Sequence, residues 1–251
     1  SSDLSIVAGL ARVEKACHGK VVLEKPFGEN LTAAKALNEK MENFFHPDNI
    51  YRIDHYLGKE MVRNIQTIRF ANPIFSGVWD AEHIECIQIS ALEEVGVETR
   101  GGYYDHSGAM KDMVQNHLFQ ILSIVAMEQP GELMLAGEEM HREQIRVLSA
   151  LHTPEKIEES LVLGQYKGYR EENAVAEDSM TESYAALKVF LDNDRWKGMP
   201  FYIRTGKKLG HREMQVLVVF KPAAPQVQSN ILNIKIQPTE GVYLQFNRSE
   251  E

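Results

Sequence analysis

From Tyr184 onward the chain is a succession of short runs in which apolar and polar residues alternate, and this leaves few folds open. Five such runs read as strands: 184–192, 200–205, 214–220, 230–237 and 241–247. In one of them Leu232, Ile234 and Ile236 alternate with Asn233, Lys235 and Gln237, the two-residue period of a sheet with one buried face. Pro238-Thr-Glu-Gly241 joins the last two runs as a hairpin. Strands with connections this short pair antiparallel, because a parallel return needs a crossover of a dozen or more residues.

Helical spacing dominates upstream. Residues 4–16 suit a helix, with Ile6, Leu10 and Val13 on one side. Lys20 to Lys25 reads as a short strand ended by Pro26 and Gly28, and Lys25-Pro26 is a candidate cis bond. Asn30 is a good N-cap for a helix placing Leu31, Ala34, Leu37, Met41 and Phe44 or Phe45 on one face. That order resembles the close of an α/β domain. A helix is expected from Gly58 to Arg69 and a strand from Ile84 to Ala91. The clearest helix is Gly108 to Met127, whose apolar face carries Met110, Met113, Val114, His117, Leu118, Ile121, Leu122 and Val125. Helices followed by successive strands make the class α+β.

Composition removes several function classes. Hydrophobic residues at 43% and charged residues at 25% are those of an ordinary globular chain. No run approaches the ~18 apolar residues of a membrane span, and the first residues lack the pattern of a secretory signal. A net charge of −9 argues against nucleic acid and anionic membranes as partners. It leaves room for a small anion, since exposed charges are screened beyond about 8 Å. Cys17 and Cys86 lie in apolar stretches and read as buried free thiols. H-E-x-x-H, C-x-x-C, G-x-S-x-G, the P-loop and the G-x-G-x-x-G dinucleotide fingerprint are all absent.

Four places could carry chemistry. Tyr51-Arg-Ile-Asp54-His55-Tyr56-Leu-Gly-Lys59-Glu60 gathers a carboxylate, an imidazole, a phenol and an ammonium just before a helix. A helix N-terminus offers unpaired N–H groups to a phosphate, and His55, Tyr56 and Lys59 would add charge-assisted hydrogen bonds. A charged surface loop with Asp54 as the cap explains the same spacing. His117 on its apolar face reads more readily as a packed core histidine; Asp112 and the glycines Gly101, Gly102 and Gly108 speak for a ligand-facing one. Arg204-Thr-Gly-Lys207-Lys208 with Arg212 could clamp an anion at the end of a strand, or be a solvated turn. Glu24-Lys25-Pro-Phe-Gly28 puts Lys25 at the carboxyl end of a strand, where ligands bind in open α/β sheets.

Taken in order, these segments resemble the glucose-6-phosphate dehydrogenase family. The resemblance rests on E-K-P-F-G at Glu24–Gly28, R-I-D-H-Y-L-G-K-E at Arg52–Glu60, R-F-A-N at Arg69–Asn72 and R-G-G-Y-Y-D at Arg100–Asp105. It continues with D-M-V-Q-N-H at Asp112–His117, Gln165-Tyr166, R-T-G-K at Arg204–Lys207 and Ile236-Gln237-Pro238. It implies the end of a Rossmann-like α/β coenzyme domain over residues 1–30. A large, mainly antiparallel sheet with helices on one face would follow over 31–251, serving substrate, catalysis and oligomerisation. The implied reaction oxidises D-glucose 6-phosphate at C1 to 6-phospho-D-glucono-1,5-lactone, with NADP, or NAD, as hydride acceptor; this is the first step of the oxidative pentose phosphate pathway. By the same resemblance His117 is the general base and Asp54 the carboxylate that orients it. His55, Tyr56 and Lys59 hold the phosphate, and Lys25, Glu93, Asp112 and Lys207 hold the sugar. Lys25 also borders the coenzyme, and Arg212 and Gln237 stand at further sugar-phosphate positions. A cytoplasmic homodimer or homotetramer built through the large sheet, without metal, is implied as well.

The chain also departs from the family. It lacks the G-x-x-G-D-L-A type loop of the nucleotide domain, and family members continue beyond Phe246-Asn247, so a portion of a longer enzyme is expected. The Tyr166–Asp178 stretch is shorter than usual, and Glu213 stands where some relatives carry a lysine of a second NADP site. Two alternatives stay open: a sugar oxidoreductase of the glucose–fructose oxidoreductase type, and a truncated module that binds the sugar phosphate without turnover.

Overall fold

The computed structural model describes residues 19–24, 30–54, 56–129 and 138–248. The expected helix over 4–16, and the residues Cys17, Lys25 and His55, lie outside the described residues. The chain divides into two compact units, Ser1–His55 and Tyr56–Glu251, whereas the sequence reading draws its line at residue 30.

The first unit is a β–α–β piece: β1 (Val21–Glu24), α1 (Leu31–Glu42) and β2 (Ile50–Ile53). β1 and β2 run parallel, with Val21 opposite Ile50 and Glu24 opposite Ile53. Asn30 caps α1 as expected, its Oδ1 accepting the Ala33 N–H at 2.9 Å. Leu37, Met41 and Phe45 bury against Val21, Leu23, Phe44 and Ile50. Full burial of a side chain such as Met41 contributes roughly 1.5–3 kcal/mol. Leu31, expected on that face, is 70% exposed; it is the first residue of the helix and projects outside the packed stripe.

In the second unit, α2 (Glu60–Phe70) and a single turn at Pro73–Ser76 lead to β3 (Ile84–Leu92). There follow α3 (Gly101–Ala109), a π-helix (Met110–Leu118), α4 (Phe119–Ala126) and α5 (Glu138–Ser149). Seven strands complete the unit: β4 (Leu151–His152), β5 (Leu161–Gly164), β6 (Tyr184–Leu191), β7 (Phe201–Gly206), β8 (Glu213–Phe220), β9 (Ile231–Gln237) and β10 (Gly241–Gln245). They form one sheet with β3, in the order β10-β9-β8-β3-β7-β6-β4, with β5 also paired to β6. The expected hairpin is there, β9 and β10 pairing antiparallel. One pairing in this sheet is parallel: β3 with β7, from Ile87 opposite Phe201 to Leu92 opposite Gly206. The helices between these two strands supply the long crossover that parallel pairing needs. Alternation along β6, β7 and β9 buries one face, where Leu187, Ile203 and Ile234 join Val62, Ile65, Val114, Leu118 and Ile121 in one core.

The long helix differs from expectation. It begins earlier, at Gly101, so the paired glycines are helical rather than a lead-in. It breaks at Gly108 (φ 67°, ψ 177°), continues with π winding and becomes α again at Phe119. Gly108 is needed there twice over: its φ is left-handed, and a Cβ would lie 2.4 Å from the Glu182 carboxylate. Cys86 is free, as expected, but half-buried rather than buried.

Candidate functional site

Asp112 and His117 are five residues apart and nearly fully buried, 4% and 1% exposed. At 3.6 residues per turn, five residues span about 1.4 turns and would set them on different faces. The wider i→i+5 winding brings them back toward one face, and such π segments recur at functional sites.

The His117 imidazole stacks on the Tyr56 ring, with centroids 4.0 Å apart and planes at 26°. Tyr56 Oη donates to Met113 Sδ at 3.9 Å, and Lys59 Nζ lies 5.0 Å from the Tyr56 ring centroid. Tyr56 and Lys59 belong to the turn that enters α2, with Lys59 at its N-cap. Burial lowers the Lys59 ammonium pKa below the usual lysine range, and the Arg212 guanidinium lowers it further against an opposing pull from Glu240. Arg212 Nη2 donates to Gln237 Oε1 at 3.4 Å. Tyr56, Lys59, Arg212 and Gln237, from the start of α2, the approach to β8 and the end of β9, thus collect around a spot whose cations repel one another. An anion placed there relieves that repulsion.

A second group gathers about Tyr104. The parallel pairing of β3 and β7 releases their carboxyl ends side by side, and Glu93 and Lys207 follow directly. Their side chains form an ion pair. The Glu93 N–H donates to Gly206 O and the Lys207 N–H to Ser183 O, at 2.9 and 3.0 Å. Lys207 Nζ is 5.2 Å from the Tyr104 ring centroid. Tyr104, 2% exposed, has its phenol pKa raised by burial first, then by the charges of Asp112 and Glu93. Tyr103 Oη reaches Asp112 Oδ1 at 3.5 Å, the outer limit of a hydrogen bond. Three expected sugar ligands, Glu93, Asp112 and Lys207, therefore share one neighbourhood. Tyr103 and Tyr104 were missed by residue-level reading, although they sit inside the R-G-G-Y-Y-D motif.

Asp54 is half-buried and follows β2 directly, at the carboxyl end of the β1–β2 parallel pair in the first unit. Arg204 stands apart from the other cations: it lies on the exposed face of the sheet, with Nε on Ser90 Oγ at 3.0 Å. Among the described residues no group of three His, Cys, Asp or Glu is placed to hold a metal, and no helix is long and apolar enough to cross a membrane.

The helix bearing Asp112 and His117 is fastened at its far end. Four carbonyls there would lack intrahelical partners. Arg69 Nη1 and Nη2 donate to Ile124 O and Met127 O at 2.7 and 2.8 Å. Trp79 Nε1 donates to Val125 O at 3.0 Å and Trp196 Nε1 to Ala126 O at 2.7 Å. Burial pushes the Arg69 pKa down to about 9, which still leaves it charged at neutral pH.

Residues 66–251 match the model of the glucose-6-phosphate dehydrogenase C-terminal domain, and residues 4–64 that of its NAD binding domain. The chain belongs to the glucose-6-phosphate dehydrogenase family. It is 44% identical over 253 residues to the glucose-6-phosphate 1-dehydrogenase of Borreliella burgdorferi, covering 93% of this chain and 52% of that protein. It is similar to the solved structure of a glucose-6-phosphate dehydrogenase in complex with its substrate glucose-6-phosphate, with a TM-score of 0.90, 33% identity, and coverage of 98% of this chain and 54% of that one. The Mycobacterium avium glucose-6-phosphate 1-dehydrogenase structure gives the same TM-score at 37% identity, covering 98% of this chain and 55% of its own. The chain spans about half the length of the family members it matches. The family boundary at 64–66 falls near the boundary between the two compact units after His55.

Proposed function

We propose that this chain supplies the sugar-phosphate site and the general base for oxidation of D-glucose 6-phosphate at C1 to 6-phospho-D-glucono-1,5-lactone. NADP, with NAD the alternative, takes the hydride when bound. The described residues of the first unit form a β–α–β piece, and the sequence carries no G-x-G-x-x-G fingerprint.

The observation that carries the reading is the Tyr56 side chain. One face stacks on His117, and the Lys59 ammonium of the cation cluster sits close to the same ring. A sugar held by its phosphate among Tyr56, Lys59, Arg212 and Gln237, with His55 beside them in sequence, extends toward His117. Hydride leaves C1 as the hydroxyl proton departs and the carbonyl forms; His117 takes that proton. Imidazole, with an unperturbed pKa near ~6.5, suits the work. Asp54 orients the imidazole and offsets its charge, as the third member of a triad does. Glu93, Asp112, Lys207 and Lys25 hold the ring and its hydroxyls, so that remote binding orients C1. The same proposal includes a cytoplasmic homodimer or homotetramer through the exposed sheet face, where Tyr202 and Val162 are 42% and 61% exposed, and a place in the pentose phosphate pathway.

The test is NADP reduction by the full-length protein with glucose 6-phosphate against glucose. The reading expects reduction with the phosphate ester alone. Equal use of free glucose would favour the glucose–fructose oxidoreductase type. Binding without NADPH formation would favour a module without turnover.

A pH prediction follows from Lys59. Its pKa is lowered, so its ammonium is lost as pH rises through a value below the usual 10.5. KM for glucose 6-phosphate therefore rises on the alkaline side while Lys59 is present. Lys59→Arg, which stays charged, keeps KM flat over the same interval. Parallel profiles for the two proteins would show that Lys59 is not a phosphate ligand.

A further inference from the structure

We infer that Glu182 is a positioning residue that fixes where the helix of Asp112 and His117 begins, and so where both groups point. The inference rests on the reading of His117 as the base. Glu182 lies just before β6 and far in sequence from that helix, yet it fills the helix start from two sides. Its backbone oxygen accepts the Ala109 N–H at 2.9 Å, and its Oε1 accepts the Met110 N–H at 2.9 Å. Both N–H groups follow the break at Gly108, where the winding starts anew and, as at any helix start, needs acceptors from outside. The carboxylate also faces the positive end of the helix dipole.

Gly108 makes the approach possible. With φ 67° and no Cβ, it lets Glu182 close against the chain where any side chain would meet the carboxylate within 2.4–2.8 Å. The break at Gly108 and the contact with Glu182 together set the register from which the π winding starts at Met110. With Arg69, Trp79 and Trp196 holding the opposite end, the helix has little freedom to slide or rotate.

The neighbouring residue couples this anchor to the sugar side. Ser183 O accepts the Lys207 N–H at 3.0 Å, and Ser183 Oγ accepts the Tyr166 N–H at 2.9 Å. The segment Glu182-Ser183 therefore sets both the start of the helix and the base of the lysine that pairs with Glu93. By contrast, Lys59, Arg212 and Gln237 stand on elements that Glu182 does not touch in any described hydrogen bond.

This division gives the test. In the full-length protein, Glu182→Ala should lower kcat for glucose 6-phosphate by about 10–100-fold, the scale of a misplacement near 1 Å. KM for the sugar phosphate should rise less than kcat falls, since Lys59, Arg212 and Gln237 stay in place while Asp112 and the Tyr56–His117 stack shift. Glu182→Gln keeps the accepting oxygen and should restore most of the lost turnover. Gly108→Ala, which displaces the same carboxylate from the other side, should reproduce the Glu182→Ala pattern. An NMR readout separates this inference from the proposed reaction: the stacked Tyr56 ring shifts the His117 Cε1–H resonance upfield, and Glu182→Ala should reduce that shift while Glu182→Gln keeps it. If the parent protein shows no turnover but the resonance responds this way, the reaction is wrong and the positioning role stands. Three results would overturn the inference: unchanged kcat and resonance in Glu182→Ala, equal losses in the Ala and Gln variants, or sugar-phosphate affinity falling as far as kcat.

Discussion

His117→Asn lowers turnover of glucose 6-phosphate by about 10²–10⁴-fold, the usual contribution of a positioned base, while sugar-phosphate affinity stays within a few-fold. Asparagine keeps a planar polar group against Tyr56 but cannot accept the hydroxyl proton near neutral pH. Lys59 lies over the Tyr56 ring, and Arg212 just before β8 and Gln237 at the end of β9 stand on elements that do not carry His117. Loss of kcat without loss of binding is the signature of an interaction made at the reacting atoms. Steady-state kinetics with a binding titration of the same variant check this. Near-normal turnover removes His117 as the base.

Arg69→Met destabilises the protein by about 3–5 kcal/mol, a loss of roughly 10 °C in melting temperature at this chain length. Two effects compete. Burying a guanidinium is costly, as its lowered pKa shows, and methionine would remove that cost while filling much of the volume. Against this, Ile124 O and Met127 O lose their only described side-chain donors, and each buried carbonyl left bare costs about 1–3 kcal/mol. The cation also lies 4.4 Å from the Phe70 ring and 5.3 Å from that of Trp79, contacts that methionine does not replace in kind. The orphaned carbonyls decide the sign. Thermal unfolding measures it, and a melting temperature within a degree of the parent would show that the cap contributes little.

The five runs after Tyr184 were legible because alternation is local: a strand with one buried face writes its period into consecutive residues. α1 was legible through its Asn30 cap and apolar stripe, and α2 through its stripe alone: Lys59, not Asp54, stands at its N-cap and makes no side-chain cap hydrogen bond. α5 was not, since it buries only Gln144 and Val147 and leaves Ile145 62% exposed, which weakens the helical stripe. The π winding could not be read at all. It starts at Met110, beside the contact of Gly108 with Glu182, and that contact joins distant parts of the chain, which helical periodicity does not encode. The parallel pairing of β3 with β7 is equally non-local, and it brings Glu93 and Lys207 together across 114 residues. Spacing alone left Asp54 and His117 as an ordinary cap and an ordinary core histidine. Only the motifs around them suggested a shared task.

The most direct measurement is a calorimetric titration of glucose 6-phosphate and of glucose into the full-length protein and its Lys59→Met/Arg212→Met variant. Charge-assisted hydrogen bonds to a phosphate contribute about 1.5–3 kcal/mol each, so the parent should bind the phosphate ester at least ~10²-fold more tightly than glucose. The double variant should lose most of that difference. Equal affinity of the parent for the two sugars, or an unchanged preference in the double variant, would contradict the assignment of this site.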